Sequence, residues 1–192
     1  MFAIGGSSET IEMEDEVSVE VFCPDNDTWR VCSRLPGGNR SQHAAVKLNN
    51  KILVSGGLDH DDVLDTCLEY CPLADTWRLV TTLPRPRADH SMLVHDDMIY
   101  IVGGWRDNGE GRVLVKEVDR YDPASDMWTV ETSLPLPRYH AGVTKVAGKM
   151  FVIGGFLESD EMMDRATRVT GGQLVLFVYR VSQVLIKLTA AC

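Results

Sequence analysis

Three segments of the chain place an arginine beside hydroxyl, acidic, aromatic or imidazole side chains, and they are the first candidates for chemistry. They begin at Arg40, Arg87 and Arg138. An arginine presents five donors in a planar fork and binds carboxylates through charge-assisted hydrogen bonds. Two interpretations stay open: each arginine contacts a binding partner, or each pairs with an acidic residue of the next loop and stabilises the fold. The recurrence of the arginine favours the structural role.

The residues that follow these arginines differ between the segments, which makes them better candidates for specificity. They are Ser41, Gln42, Asp89, Tyr139 and His140. The histidines recur with the segments, so we expect them to be packed rather than bound to a metal. They are His43, His90 and His140.

Four loops that directly follow pairs of glycines carry a second set of candidates, most of them acidic. The loops contain Glu9, Glu12, Glu14, Asp15 and Glu16; Asp59, His60, Asp61 and Asp62; Trp105, Arg106, Asp107, Asn108 and Glu110; and Phe156, Glu158, Asp160 and Glu161. An acidic rim would steer basic partner segments toward the protein, whereas the alternative is a set of solvated loops that aid solubility. Trp105 and Phe156 either form exposed aromatic anchors or fold back over the sheet.

Catalysis and metal binding find little support in the sequence. The run Asp59–Asp62 lacks the glycine and the closing glutamate of a calcium loop. The five cysteines include no C-x-x-C pair, and no order typical of a Ser-His-Asp or Cys-His site is visible. Cys23 and Cys71 are interpreted as inert turn residues rather than reactive thiols. We therefore predict a protein that is not an enzyme and has no cofactor and no metal.

Composition narrows the classes of partner. The 192 residues carry 19 basic and 28 acidic side chains, a net charge of −9, which argues against nucleic-acid binding. The apolar stretch 174–190 is interrupted by polar and charged residues, so we expect no membrane span. No secretory signal is recognisable at the N-terminus. We expect the protein in the cytoplasm, with the nucleus as the alternative.

Repeated landmarks show which elements must position these residues. Short apolar runs end in the glycine pairs Gly5-Gly6, Gly56-Gly57, Gly103-Gly104 and Gly154-Gly155. Each of the last three pairs begins 16 residues after an arginine. Between arginine and glycines stand Asn49-Asn50, Asp96-Asp97 or Ala147-Gly148, which suit two-residue hairpin turns. This block predicts a strand, a tight turn and a second strand.

A second block contains an aromatic residue two places before a proline and a tryptophan five places after it. The aromatic residues are Phe22, Tyr70 and Tyr121, and the tryptophans are Trp29, Trp77 and Trp128. An aspartate stands two places before each tryptophan. The block predicts strand, turn and strand, with the aromatics packing between sheets. The whole unit is then a sheet of four antiparallel strands, and its variable connections, after strands two and four, emerge on one face, which we predict to be the binding face.

These landmarks resemble kelch repeats over about residues 1–165. The resemblance implies an all-β kelch propeller segment with two complete and two partial four-stranded blades and an incomplete ring. The predicted divisions are a partial blade at 1–39, repeats at 40–86 and 87–137, a partial repeat at 138–170 and a divergent tail at 171–192. The tail is expected to supply strands at Leu174–Tyr179 and Val184–Leu188.

The group that the chain most resembles is the BTB–kelch family, whose propellers recruit substrates to cullin-RING ubiquitin ligases. In that family the arginine segments open onto the substrate pocket, where arginines bind acidic peptide motifs. The resemblance implies a protein-interaction module that recognises a protein substrate or a peptide motif. The 192 residues contain no BTB or BACK domain, so a cullin would be engaged only through parts of a longer protein. The alternatives are an actin- or cytoskeleton-binding kelch scaffold and, third, a kelch-type copper oxidase.

Overall fold

The computed structural model describes residues 1–6, 19–38, 40–157 and 176–180, the last of these as backbone alone. In these residues every regular element is a β-strand. The strands are β1 (Phe2–Ile4), β2 (Val19–Cys23), β3 (Thr28–Cys32), β4 (Ala44–Leu48), β5 (Lys51–Ser55), β6 (Leu58–Asp59), β7 (Asp62–Val63), β8 (Thr66–Cys71), β9 (Thr76–Thr82), β10 (Ser91–His95), β11 (Met98–Val102), β12 (Trp105–Asp107), β13 (Arg112–Leu114), β14 (Glu117–Asp122), β15 (Met127–Ser133), β16 (Gly142–Val146), β17 (Lys149–Ile153) and β18 (Leu176–Arg180).

The strands form four main antiparallel sheets, which confirms the predicted fold class. Two sheets have four strands, in the orders β4-β5-β8-β9 and β10-β11-β14-β15. Two sheets have three strands, β1-β2-β3 and β16-β17-β18. Each four-stranded sheet carries a small hairpin, β6-β7 or β12-β13, in the connection between its second and third strands. The sequence did not predict these hairpins.

The first block of each repeat folds as a hairpin. Strand β4 pairs with β5, β10 with β11, and β16 with β17, and a two-residue turn joins each pair. Asp96 and Asp97 both have positive φ, at 50° and 60°, as do Ala147 and Gly148 at 49° and 70°. Positive φ at both central residues twists a two-residue turn in the sense of its flanking strands, which fixes the register.

The second block is held together by the repeated aromatic residues. Tyr70 lies opposite Trp77 across β8 and β9, with ring centroids 4.8 Å apart, and Tyr121 lies opposite Trp128 at 4.9 Å. The Tyr70 hydroxyl donates to Asp75 Oδ1 over 2.5 Å. Asp75 adopts a φ of 52° in the turn between the strands. The equivalent aspartates Asp27 and Asp126 also have positive φ, and Asp126 Oδ1 accepts a hydrogen bond from the Tyr121 hydroxyl over 2.7 Å.

The chain divides into two compact units, Met1–Ala88 and Asp89–Cys192. In the first unit, apolar residues of the first and second sheets form one core, which includes Val19, Leu35, Leu68 and Tyr70. Polar contacts reinforce this packing, because Trp77 Nε1 donates to the carbonyl of Ser33 over 3.0 Å. Trp77 thus contacts the tyrosine of its own sheet and the segment that directly follows β3 of the neighbouring sheet.

The core of the second unit lies between the third and fourth sheets. It is built from Tyr100 and Val102 of β11, Val118 of β14, and Met150 and Val152 of β17, with Leu134 beside them. Strand β17 alternates between buried and more exposed positions, whereas four consecutive residues of β11 are buried, so β11 is covered on both faces. Within each unit, burial of sheet faces against one another positions the connections at the sheet ends.

The divergent tail supplies one strand to the fourth sheet. The backbone of Leu176–Arg180 pairs antiparallel with β17, close to the strand predicted at Leu174–Tyr179. The second predicted strand, Val184–Leu188, lies outside the described residues. No helix in the described part of the chain is long and apolar enough to cross a membrane.

Candidate functional site

The two connections of variable length meet at one end of the sheets. Ser41, which precedes β4, forms two backbone hydrogen bonds with Leu58 at the start of β6, of 3.0 and 2.8 Å. Tyr139 forms the equivalent pair with Phe156, at 3.1 and 2.9 Å. The two-residue turns lie at the opposite ends of the same hairpins. We call this end of each sheet the connection end.

The glycine pairs tie successive repeats together at the connection end. The second glycine of a pair donates its N–H to the carbonyl of the arginine that begins the next repeat. The bonds are Gly6 to Arg40 (2.9 Å), Gly57 to Arg87 (2.9 Å) and Gly104 to Arg138 (2.8 Å). The arginine backbone is therefore held by the preceding sheet.

The three arginines are buried, with at most 3% of their surface exposed. Arg40 donates from Nη1 to the Gly56 carbonyl over 2.9 Å and from Nη2 to Thr66 Oγ1 over 2.7 Å. Arg138 donates in the same way to the Gly154 carbonyl over 2.6 Å. Burial lowers the pKa of Arg40, and nearby Cys67 and carboxylates oppose this shift. These contacts are those of a structural role, in which the arginine binds the glycine pair of its own repeat.

The residue two places after each arginine has a left-handed backbone. Gln42, Asp89 and His140 have φ values of 52°, 52° and 54°. This conformation costs a residue with a side chain about 1–2 kcal/mol, and glycine would avoid that cost. Gln42 and His140 are exposed, whereas Asp89 is buried. The sequence singled out these residues by their variability but gave no signal of the strained backbone that they share.

Asp89 is the centre of a polar cluster in the second unit. Its Oδ2 accepts a hydrogen bond from Trp105 Nε1 over 2.8 Å, and its Oδ1 lies 3.4 Å from His140 Nδ1. Its carbonyl accepts the N–H of His140 over 2.9 Å. The guanidinium of Arg112 lies over the Trp105 ring, 4.3 Å from the centroid. Trp105 is buried, so this aromatic residue supports the connection end and does not project from it.

Phe156 projects from the connection end beside this cluster, with 48% of its surface exposed. Its ring is 5.4 Å from the ring of buried Tyr139 and 6.1 Å from the ring of His140. Tyr139 and His140 are themselves 5.2 Å apart. The structure therefore brings together Asp89, Trp105, Tyr139, His140 and Phe156, five of the residues that the sequence proposed as binding candidates.

The connection end of the first unit is acidic and open. His60 Nδ1 lies 2.8 Å from Asp59 Oδ1, and both His60 and Asp61 are exposed. Ser41, which pairs with Leu58 at the start of β6, is half-buried, and Gln42, the next residue in sequence, is exposed. The acidic residues proposed at 9–16 and 158–161 lie outside the described residues.

The β12-β13 hairpin carries the remaining candidates. Arg106 is half-buried and Asp107 is exposed. Asp107 Oδ1 accepts the N–H of Gly109 over 2.7 Å, and Asn108 Oδ1 accepts the N–H of Glu110 over 3.0 Å. These bonds pair two backbone N–H groups at the tip of the hairpin, and they give the tip a defined shape.

Packing explains the pKa shifts of His43 and Cys67 near the connection end. Burial first, and then the positive charge of Arg40, lower the pKa of His43, with hydrogen bonds to backbone opposing. Burial raises the pKa of the Cys67 thiol to about 12, which leaves it protonated. Within the described ranges, no three His, Cys, Asp or Glu side chains form a group that could hold a metal ion.

Four antiparallel sheets with repeated landmarks define a segment of β-propeller type. A family model described as the KLHDC2/KLHL20/DRC7 Kelch-repeats domain matches residues 1–155. The structure of YjhT, a kelch propeller, superimposes with a TM-score of 0.70 at 16% identity, over 90% of this chain and 58% of that one. The chain therefore belongs to the kelch-repeat family.

Several longer kelch proteins resemble the chain in sequence. Human Kelch-like protein 35 is 35% identical over 136 residues, which are 71% of this chain and 22% of that protein. Alpha-scruin of Limulus polyphemus is 31% identical over 145 residues, which are 72% and 15% of the two chains. Kelch repeat and BTB domain-containing protein 1 of Ectromelia virus (strain Moscow) is 26% identical over 152 residues, which are 78% and 26%. The chain thus spans about a quarter or less of the length of these relatives, and together they support a kelch protein-interaction module.

Proposed function

We propose that the chain is the substrate-recognition part of a BTB–kelch adaptor for a cullin-RING ubiquitin ligase. It captures a short peptide or an exposed loop of a protein substrate on the connection ends of its sheets. The cullin is engaged by other parts of the parent protein. The matches to Kelch-like protein 35 and to a kelch repeat and BTB domain-containing protein support this assignment.

One observation carries the location of the binding surface. At the connection end, the recurring arginines are buried, and several of the variable residues are exposed. The arginines and glycines that recur bind one another inside the sheet, while Gln42, His140 and Phe156 differ between repeats and face solvent. A rigid scaffold that presents variable side chains is the arrangement that binding modules use.

The test is immunoprecipitation of the endogenous polypeptide with an antibody raised against residues 87–137. A polypeptide several-fold heavier than 21.3 kDa that brings down a cullin supports the adaptor role. An antibody against an unrelated kelch protein is the control for non-specific recovery. A polypeptide that brings down no cullin, at any mass, contradicts the adaptor role.

An actin- or cytoskeleton-binding kelch scaffold is the second candidate. The chain is about as similar to alpha-scruin as to the kelch-like proteins, so the matches do not select the adaptor role alone. Co-sedimentation of the 192-residue chain with filamentous actin separates the two. Saturable recovery in the pellet favours the scaffold, and recovery no greater than without filaments removes it.

A further inference from the structure

The second unit presents two electron-rich groups side by side at its connection end. They are the imidazole of His140, whose side chain is 53% exposed, and the exposed ring of Phe156. The rings are edge to face, at an interplanar angle of 80°. Tyr139 packs against both rings from the buried side, so they have a fixed support.

The orientation of His140 is set from the neighbouring repeat. Its backbone N–H and its Nδ1 both face Asp89, at 2.9 Å from the carbonyl and 3.4 Å from the carboxylate. A carboxylate beside one ring nitrogen places the proton of the neutral imidazole on that nitrogen. The other nitrogen, Nε2, is then a hydrogen-bond acceptor, and no described residue donates to it.

The backbone indicates that a side chain at this position is used. His140 sits at a φ of 54°, where glycine would be less strained. Gln42 and Asp89 share this conformation in the preceding repeats, and residues held in it are frequent at ligand clamps and active sites. Asp89, at the same position of the preceding repeat, has its own carboxylate engaged inside the cluster, so it acts as a positioning residue.

We propose that His140 and Phe156 form a receptor for an arginine or lysine side chain of the protein partner. The cationic head donates to His140 Nε2, and the head and its aliphatic stem lie against the face of Phe156. Both groups attract cations: an imidazole lone pair accepts their protons in a hydrogen bond, and an aromatic face attracts them through its quadrupole. The net charge of −9 assists the approach of a basic segment. This inference rests on the proposed function and adds the chemistry of the residue that is recognised.

The probe is a phage-displayed library of random heptapeptides, selected at pH 8 on the immobilised 192-residue chain. Phage that also bind a His140→Asn, Phe156→Leu double variant are removed. Asparagine tolerates the left-handed backbone and leucine keeps the apolar surface, so the double variant is expected to fold. We expect the remaining peptides to share an arginine or lysine. Peptides anchored by an acidic or purely apolar residue, or no peptide that discriminates against the double variant, would overturn the proposal.

Synthetic versions of the selected peptide then measure each contact by fluorescence anisotropy. Replacement of its basic residue by norleucine should abolish the difference between wild type and the double variant. The Phe156→Leu variant alone should bind about two- to fivefold more weakly, and His140→Asn about two- to tenfold. Equal affinity of the arginine and norleucine peptides would contradict a cation receptor.

Asp89→Asn tests the positioning role, with Asp97→Asn as its matched control. Asp97 is also a left-handed aspartate, with a φ of 60°, but it lies in the turn between β10 and β11. Asp89→Asn should lower the preference for arginine over norleucine, and Asp97→Asn should leave it unchanged. Loss of thermal stability without loss of preference would show a merely structural aspartate. A failure of this inference is separable from failure of the adaptor role, because cullin recovery is measured independently.

Discussion

A methyl group added at Gly57 should cost far more stability than one added at Gly37. Gly57 has a φ of 95°, and a Cβ there would lie 2.4 Å from the carbonyl oxygen of Ser41 and 2.9 Å from the backbone nitrogen of His43. Gly37 has a φ of 90°, and a Cβ there would meet no atom within 4 Å. Both glycines belong to the first unit. Both substitutions therefore place a side chain on a strained backbone, but only the one at Gly57 also creates a steric clash.

The size of the difference follows from the contacts at Gly57. The strain of placing alanine at positive φ is about 1–2 kcal/mol at either position. Relief of the clash at Gly57 must separate the chain from Ser41, whose two hydrogen bonds with Leu58 contribute about 1 kcal/mol each. We therefore expect Gly57→Ala to lower the free energy of unfolding by about 3–4 kcal/mol and Gly37→Ala by about 1–2 kcal/mol.

Urea denaturation followed by tryptophan fluorescence measures both values. Trp29 and Trp77 lie in the first unit and report on its unfolding. The m-values of the variants and the wild type should agree, since only then do the midpoints compare stabilities. If the two alanine variants lose the same free energy of unfolding, within about 0.5 kcal/mol, the claim that the backbone at Gly57 lies close to Ser41 and His43 is contradicted.

Three further outcomes are expected. Gln42→Gly should raise the free energy of unfolding by about 1 kcal/mol and Gln42→Ala should not, because only glycine adopts a φ of 52° without strain. The urea midpoints of the two variants measure this difference. The pKa of His43 is lowered in the folded chain, so the unfolded chain takes up the proton at a higher pH. The free energy of unfolding should therefore fall as the pH drops below about 6.5. Urea midpoints at pH 7.5 and 5.5 measure this fall, which should be smaller in His43→Gln. Iodoacetamide at pH 8 should leave Cys67 unmodified in the native chain and modify it in urea, by mass spectrometry.

The repeat landmarks predicted the main strands because each landmark has a local physical role. Asp96-Asp97 predicts a tight turn on its own, and the turn fixes the register of β10 and β11. The glycine pairs mark places where the backbones of successive repeats come together. The hairpins β6-β7 and β12-β13 were missed because they are only two or three residues long in each strand and carry no alternating pattern.

The sequence predicted which residues belong to the candidate site better than it predicted how they are arranged. The sequence selected Asp89, Trp105, Tyr139, His140 and Phe156, which the structure brings together. It left open whether each aromatic residue projects or packs, because exposure depends on contacts between residues that are distant in sequence. Trp105 is buried with its indole donating to the Asp89 carboxylate, whereas Phe156 packs beside Tyr139 and His140 with 48% of its surface exposed.

Site-specific photocrosslinking tests the central claim, that the partner is captured at the connection end. Phe156 and Val146 are both exposed apolar residues of the second unit, at 48% and 56%. Phe156 lies at the connection end, whereas Val146 pairs with Lys149 at the two-residue turn. A benzophenone amino acid replaces each in turn in the full parent protein, expressed in cells. We expect a partner adduct from position 156 and none from position 146. Equal adducts, or an adduct from position 146 alone, would contradict the account.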